Sequence, residues 1–329
     1  TLDSITSGDA DISIGATDNA TVTISDDDTA QVTIAATDAL AGEPANPSQV
    51  TVTLSETSDT DTVVSYTVTG DATADSDYTA LSGSVTIAAG STTATIDVSV
   101  LDDSLLEDNE TVIVTRDSIT SGDADISIGA TDNATVTLSD DDTAQVTIAA
   151  TDAVAGEPAN PGQFTVTLSE TSDTDTVVSY TVTGDATGGS DYTALSGSVT
   201  IAAGSTTATI DVSVLDDSLL EDNETVIVTL DSITSGDADI SIGATDNATV
   251  TISDDDTAQV TIAATDAVAG EPANPGQFTV TLSETSDTDT VVSYTVTGDA
   301  TADNDYTALS GSVTIAAGST TATIDVSAV

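Results

Sequence analysis

The sequence predicts an all-β fold, and two observations support this prediction. First, the 329-residue chain is 38% hydrophobic but only 2% aromatic, and its apolar residues are mostly Val, Ile, Ala and Leu among many Thr, Ser, Asp and Gly residues. Such a composition favours strands and turns over helices. Second, apolar and polar residues alternate with a period of two in short segments, as in half-buried strands. The apolar fraction is sufficient to bury a core, so disorder is not the default expectation.

The chain repeats itself every 114 residues. An Asp triplet at 26–28 recurs at 140–142 and 254–256, each time followed by Thr-Ala-Gln-Val-Thr-Ile. The ranges 29–142 and 143–256 differ at seven positions: 40, 48, 50, 74, 75, 116 and 138. Such periodicity predicts an array of equivalent modules. We divide the chain into a C-terminal tail of a preceding module, two complete modules and the N-terminal part of a further module, at 1–28, 29–142, 143–256 and 257–329.

Each complete module contains seven segments with strand periodicity. In the first module they are, in order, Gln31 to Ala35, Gln49 to Leu54, Val64 to Val68, Ser84 to Ile87, Thr92 to Val100, Thr111 to Thr115 and Ala134 to Leu138. Turn-forming clusters such as Gly42-Glu43-Pro44 and Ala89-Gly90-Ser91 separate them. Seven strands at this spacing predict an antiparallel two-sheet sandwich, and the repeats predict an elongated array of such sandwiches. The core should be thin, since Tyr66, Tyr78 and Val50 or Phe164 are its largest candidates.

The two incomplete ends leave the origin of the chain open. Together they lack the counterpart of the stretch from Asp102 to Val114, which contains five acidic residues and the start of a strand. If neighbouring chains completed one module between them, that module would still lack this strand. We therefore expect a window cut from a longer repeat protein, with a self-complementing subunit as the alternative.

The charge excludes several functions. The formal net charge is −56, with 57 acidic residues, no His, no Cys and Arg116 as the one basic side chain. Phosphate backbones and anionic lipid surfaces are bound through Lys and Arg, so we expect neither nucleic acid nor a membrane surface as a partner. No apolar run approaches the roughly 20 residues that span a bilayer, so direct membrane insertion is not expected either. Nucleophilic triads, Schiff bases and imidazole or thiolate metal sites all lack their essential residues.

The acidic residues of each module are predicted to converge. In the first module they follow the first and third strands, lie between the fifth and sixth, and follow the last, and these connections can meet at one end of a sandwich. Two charges about 4 Å apart repel by roughly 1 kcal/mol in water and roughly 4 at an effective dielectric near 20. With no Lys or Arg available at the cluster to compensate, hard divalent cations are the remaining candidates. Ca²⁺ suits the site because it accepts six to eight oxygens in loose geometry, and Mg²⁺, which prefers a strict octahedron, is the weaker fit.

The repeat resembles a Calx-beta domain over its whole length. The resemblance rests on Glu43-Pro44, the Val-Ser-Tyr-Thr-Val-Thr-Gly-Asp-Ala-Thr segment, Ser76-Asp77-Tyr78, the stretch from Leu101 to Glu110 and the terminal Asp triplet. It implies an immunoglobulin-like sandwich that binds several Ca²⁺ ions at one tip. The implied ligands are, in the first module, Glu43, Asp77, Asp102, Asp103, Glu107, Glu110, Asp140, Asp141 and Asp142, and in the second, Glu157, Asp191, Asp216, Asp217, Glu221, Glu224, Asp254, Asp255 and Asp256.

The chain ends depart from this pattern. Glu271 and Asp305 lie in the last stretch without the later ligands, and the first stretch has only Asp26, Asp27 and Asp28. Ion binding at either end of a single chain is therefore not expected. An acidic pair also serves glycosidases, but the cluster recurs at each junction and the chain has no Trp to line a sugar groove, so we expect no enzyme.

These observations lead to a structural hypothesis. We expect a calcium-binding extracellular repeat, at a cell surface or in a secreted matrix, in which Ca²⁺ ions at the junctions stiffen an adhesin stalk or fibre. Its partners would be neighbouring modules of the same protein. The alternatives are a subunit that self-assembles into an extracellular filament, and a calcium sensor or regulatory module that signals through a conformational change. Arg116 stands where the other copies have Leu2 and Leu230, and the sequence gives no functional reason for it.

Overall fold

The structure is a computed structural model that describes residues 1–272 and 274–329. The strands of the first module are β1 (Ala30–Asp38), β2 (Leu40–Gly42), β3 (Ser48–Leu54), β4 (Thr62–Thr69), β5 (Ser84–Ile87), β6 (Thr93–Val98), β7 (Glu110–Ser121), β8 (Ile126–Ile128) and β9 (Asn133–Ser139). Those of the second are β10 (Ala144–Asp152), β11 (Val154–Gly156), β12 (Gly162–Leu168), β13 (Thr176–Thr183), β14 (Ser198–Ile201), β15 (Thr207–Val212), β16 (Glu224–Ser235), β17 (Ile240–Ile242) and β18 (Asn247–Ser253). The last stretch contains β19 (Val260–Asp266), β20 (Gly276–Leu282), β21 (Thr290–Ser293), β22 (Ser312–Ile315) and β23 (Thr321–Val326). Among the described residues, none lies in a helix that could cross a bilayer.

Each complete module has the two-sheet fold that the sequence predicts. In the second module a four-stranded sheet has the order β15-β12-β10-β17 and a five-stranded sheet the order β11-β18-β16-β13-β14, and the first module repeats both orders. Buried residues of the two sheets form one core. The all-β sandwich prediction is confirmed. All seven predicted strands of the first module are present, but β2 and β8, three residues each, were not predicted, because so few positions cannot display an alternation. Both of these short strands pair in parallel, with β9 and β1.

The chain divides into two compact units. Unit 1 comprises Thr1–Asp102 and Asn109–Ser139, and unit 2 comprises Asp103–Asp108 and Asp140–Val329. The six-residue segment that follows β6 and precedes β7 thus belongs to unit 2, where Leu106 is fully buried in the core that contains Phe164. In the sequence this segment reads as an acidic loop, and nothing in its pattern indicates that one of its leucines is a core residue of unit 2.

The last stretch of unit 2 has part of this architecture. Its strands form a three-stranded sheet, β19-β20-β23, and a pair, β21-β22. Among the described residues of this stretch, the buried hydrophobic side chains are Val280, Leu282, Ile315 and Ile324. All residues of β19 are exposed, whereas the equivalent strand β10 buries Ala144, Val146 and Ile148.

Arg116 is buried in unit 1. Its Nη1 donates to the carbonyl oxygen of Val32, and Nη2 donates to those of Gly129, at 3.2 Å, and Thr131. Burial lowers the pKa of this guanidinium, and the charge of Asp132 acts in the opposite direction. The residue therefore occupies the core position that Leu230 has in the second module and satisfies most of its donors with backbone carbonyls.

Candidate metal centre

The second module shows how the fold collects its predicted ligands, because all nine lie within unit 2. Glu157 follows β11, which pairs in parallel with β18, so it lies beside the residues that follow β18. Its N–H donates to the carbonyl oxygen of Ser253 at 3.1 Å. The two strands approach closely at Gly156, where a Cβ atom would be 2.6 Å from Ser253 Oγ, so a larger residue there would require the Ser253 side chain to move.

A second close approach places Asp191 beside the start of β16. Gly184, which follows β13, has φ +124, and a Cβ atom there would be 2.0 Å from the carbonyl oxygen of Thr225. Asp191 lies in the following turn, is 7% exposed, and accepts the N–H of Thr187 on Oδ2. Its carboxyl forms a side-chain hydrogen bond with Glu224, the first residue of β16. One proton must be shared in that bond while no cation is bound.

The segment between β15 and β16 joins the Asp triplet after β18. The N–H of Glu221 donates to Asp254 Oδ2 at 3.1 Å, and the N–H of Asp256 donates to Asp254 Oδ1 at 3.0 Å. One carboxylate oxygen from each of Glu157, Asp216 and Asp255 lies within 4.8 Å of the other two. Four separate connections of the module thus supply acidic side chains to one region, as the sequence predicts.

Crowding of these charges raises several pKa values. Burial, followed by the charges of Asp217, Asp254, Asp256 and Asp216, raises the pKa of Glu157 from 4.5 to about 7. Burial and Asp191, with smaller contributions from Glu221 and Asp185, raise that of Glu224 to about 7. Burial is also the largest cause for Glu221 and Asp256, whose pKa values are raised. Without a counter-ion, the cluster therefore retains protons near neutral pH.

Three oxygens of the cluster are buried without a hydrogen-bond donor among the described residues. They are Glu157 Oε2, Glu224 Oε2 and Asp256 Oδ2. Buried carboxylate oxygens normally accept hydrogen bonds, and leaving them unsatisfied is costly. The chain has no Lys or His, and Arg116 is committed to unit 1, so no side-chain cation can approach them. A set of carboxylate oxygens without nitrogen or sulfur ligands fits a hard divalent cation such as Ca²⁺.

One acidic residue of this region was missed from the sequence. Asp287, in the turn after β20, lies close enough to Glu221 for its charge to raise the pKa of that residue. It belongs to the stretch 257–329, which follows the module that contains the cluster. The sequence of a single module does not predict this residue, because its proximity to Glu221 depends on how the stretch 257–329 packs within unit 2.

In the first module the nine predicted residues divide between the two units. Glu43 and Asp102 lie in unit 1 with carboxylate oxygens within 4.8 Å of each other, as do Asp77 and Glu110. Unit 2 contains the other five, Asp103, Glu107, Asp140, Asp141 and Asp142. The Glu107 N–H donates to Asp140 Oδ2 at 3.1 Å, as in the second module. At the chain ends, Asp26 to Asp28 form an exposed group, and Glu271 and Asp305 are exposed. Which carboxylates bind an ion stays a prediction.

Comparison with known proteins identifies the family. The Calx-beta domain model matches residues 25–142, 140–256 and 254–329. The chain belongs to the Calx-beta family. Calx-beta domains are calcium-binding modules, so the resemblance drawn from the sequence is confirmed.

Solved structures with similarity to the chain include Calx proteins. The CBD12 structure from CALX1.2 is 17% identical, covering 67% of this chain and 99% of that one, with a TM-score of 0.30. The apo-form Calx CBD1 domain is 20% identical, covering 35% of this chain and 100% of its own, also with a TM-score of 0.30. The E. coli chaperone DraB is 9% identical over 64% of this chain and 96% of its own, with a TM-score of 0.24. No curated protein matches the chain significantly.

Proposed function

We propose that each complete module binds several Ca²⁺ ions through its nine-carboxylate cluster, and that the repeat is a structural spacer of an extracellular stalk or fibre. The observation that carries the calcium assignment is the group of three buried oxygens without donors, at Glu157, Glu224 and Asp256, in a region that no side-chain cation reaches. Calcium would displace the protons that Glu157 and Glu224 retain near neutral pH because their pKa values are raised. Family membership supports the same assignment.

Isothermal titration of the calcium-depleted chain tests the binding. We expect several ions per complete module, and the Glu224→Gln variant should lose affinity by roughly tenfold or more for ions at its own module. Glu170→Gln is the matched control, since Glu170 is an exposed glutamate of the same module outside the cluster. If neither the original chain nor the control takes up calcium at millimolar concentration, the assignment is wrong.

The spacer role rests on near-identity and on contacts within unit 2. The two complete modules differ at seven positions, which suits repeated structural units better than specialised binding sites. Glu221, a predicted ligand, lies near Asp287 of the following stretch, so an ion in the cluster would also reduce repulsion between the module and that stretch. Calcium would thereby restrain their relative motion.

Spin-label distances test this restraint, because the chain has no Cys of its own. The double variant Thr209→Cys, Thr323→Cys places labels at exposed, equivalent positions of the second module and the last stretch. We expect calcium to narrow the distribution of distances between the labels. The pair Thr209→Cys, Ser235→Cys, inside one module, should change much less. An unchanged first distribution would contradict the spacer role.

The calcium affinity separates the spacer from a sensor. A spacer outside the cell needs only sites with dissociation constants of about 0.1 to 1 mM, whereas a cytosolic sensor responds near micromolar calcium. The titration described above yields this value directly. Micromolar affinity together with a large change in the hydrogen exchange of unit 2 would favour the sensor.

A further inference from the structure

The segment between β6 and β7, and its counterpart between β15 and β16, each dock onto an edge of unit 2. The N–H of Leu106 donates to the carbonyl oxygen of Thr171 at 2.9 Å, and the N–H of Asp173 donates to the carbonyl oxygen of Leu106 at 3.1 Å. Leu220 makes the same two bonds with Thr285 and Asp287, at 2.9 and 3.1 Å. Each leucine forms a single parallel bridge, with Ser172 and Ser286. The segment thus bonds to the loop between β12 and β13, and its counterpart to the loop between β20 and β21, through one isolated bridge each rather than as an added strand of a sheet.

The docked leucine is also an apolar anchor. Leu106 is fully buried and packs into the core cluster that contains Ala144 and Ile240. Burial removes the apolar surface of this leucine from water and so stabilises the docked segment. Two kinds of contact therefore hold the segment. Its backbone hydrogen bonds do not depend on the side chains of the acceptor loop, and the buried leucine fixes which residue of the segment lies opposite that loop.

The first module has the same edge, here called the acceptor groove. It is a groove of about 730 Å³ within unit 1, lined on one side by Glu56, Thr57, Ser58 and Asp59 and on the other chiefly by Ala30, Asp123, Asp125 and Ile126. Its turn is already formed, because the N–H of Gly90 donates to the carbonyl oxygen of Ser58 at 2.8 Å, as Gly204 does to Ser172. In the part of the chain that the structure describes, no backbone group bonds to the Asp59 N–H or the Thr57 carbonyl oxygen.

The equivalent residues of the two edges differ in burial. They are more exposed in the first module, where no segment of the described chain is docked, than in the second, where the segment with Leu106 is docked. Asp123 is exposed and Ile126 is half-buried, whereas their counterparts Asp237 and Ile240 are both buried. Ser58 is likewise half-buried and Ser172 buried. The residues at these positions are identical in the two modules, so the difference arises from what covers them.

We propose that the acceptor groove of the first module binds the Asp-Asp-Ser-Leu-Leu-Glu-Asp segment of another copy of the repeat, with the second leucine as its anchor. The occupant follows from the chain itself, since this segment occupies both equivalent edges of unit 2. This contact is made by backbone groups and a leucine side chain rather than by the predicted calcium ligands. It is therefore a second way of joining repeats, in addition to the proposed calcium binding. Groove and segment are both acidic, so salt or calcium should strengthen the binding.

Nuclear magnetic resonance of the full ¹⁵N-labelled chain tests the proposal, with a peptide of residues 101–110 as the probe. We expect saturable shifts of the amides of Thr57 to Asp59, Gly90 and Asp123 to Ile126, which increase when salt or calcium is added. A peptide carrying Leu106→Ser should leave them unmoved, whereas one carrying Leu105→Ser, the adjacent leucine, should retain most of the effect. Shifts elsewhere in the chain, or none at millimolar peptide under any of these conditions, would overturn the proposal.

The same substitutions in the full chain test the anchor separately. Leu106→Ser should reduce the hydrogen-exchange protection of the Asp173 amide by roughly tenfold or more, whereas Leu105→Ser should reduce it much less. Equal protection in the two variants would show that the second leucine is not the anchor. Neither result depends on calcium, so failure here is distinguishable from failure of the calcium assignment.

Discussion

The second module and the last stretch of unit 2 share almost the same sequence over their common length but bury it differently. Val146 and Phe164 are fully buried and Ile148 is 2% exposed, whereas Val260, Phe278 and Ile262 are 44%, 39% and 58% exposed. The pairing of β19 with β20 repeats that of β10 with β12 residue by residue. Local sequence therefore determines the strands and their register. Burial depends on the opposing sheet, and the described residues of the last stretch form no counterpart of β16 or β18.

Removal of calcium should produce the largest difference in stability between the second module and the last stretch. Calcium that binds only the folded module stabilises it by about 2.7 kcal/mol per ion at a hundredfold excess over the dissociation constant, and the cluster is expected to bind several. The second module should lose this stability in EGTA, whereas the last stretch, which has Glu271 and Asp305 but no later ligands, should lose little. Module-resolved hydrogen exchange with and without EGTA measures both. Equal changes in the two regions would contradict the assignment of the ions to the complete modules.

Truncation of the equivalent phenylalanines should have the next largest effect. Phe164→Ala removes a fully buried ring from the core, and such changes cost about 3 to 5 kcal/mol. Phe278→Ala removes a ring that is already 39% exposed, and we expect it to cost less than about 1 kcal/mol. Urea unfolding followed by resonances assigned to each region gives the two values without assuming a single transition. Similar losses would mean that the last stretch has a complete core in solution.

The principal strands and the approach of several carboxylates could be predicted from the sequence, because both follow from the pattern within one module. Alternation identified seven strands, and Glu157, Asp216 and Asp255 could be expected to meet because antiparallel connections return to one end of a sandwich. Three features could not be predicted. Short β11 and β17 carry too little pattern, and the core role of Leu106 and the proximity of Asp287 to Glu221 depend on packing within unit 2 rather than on any periodicity.

A smaller effect should appear in the pH dependence of the calcium-free second module. Glu157 and Glu224 have pKa values raised from 4.5 to about 7 in the folded state. Between these values the folded state binds more protons than the unfolded state, so the free energy of unfolding falls as pH rises from about 4.5 to 7. We expect roughly 1 kcal/mol per group, after a discount for solvent screening, since both groups are partly exposed.

Urea unfolding in EGTA at several pH values measures this slope. The double variant Glu157→Gln, Glu224→Gln should flatten it, and the exposed Glu170→Gln should not. The last stretch, in which Glu271 is exposed, should show no such decline. With calcium present the dependence should reverse, because protons compete with the ion and affinity falls as pH drops below about 7. A slope that persists in the double variant would assign the protons to other groups.

The smallest predicted effect concerns Arg116 and Leu230, which are different residues at equivalent core positions of the two complete modules. The guanidinium is buried and bonds to carbonyl oxygens of Val32, Gly129 and Thr131, but its Nε has no partner among the described residues. Replacing a buried charge by an apolar residue of suitable volume is often neutral or stabilising. We expect Arg116→Leu to raise the free energy of unfolding of the first module by about 1 kcal/mol, and Leu230→Arg to lower that of the second by more, because it buries a charge where an apolar side chain now packs. Region-resolved urea unfolding measures both, and a loss of stability in Arg116→Leu would show that the three carbonyl bonds outweigh the desolvation of the guanidinium.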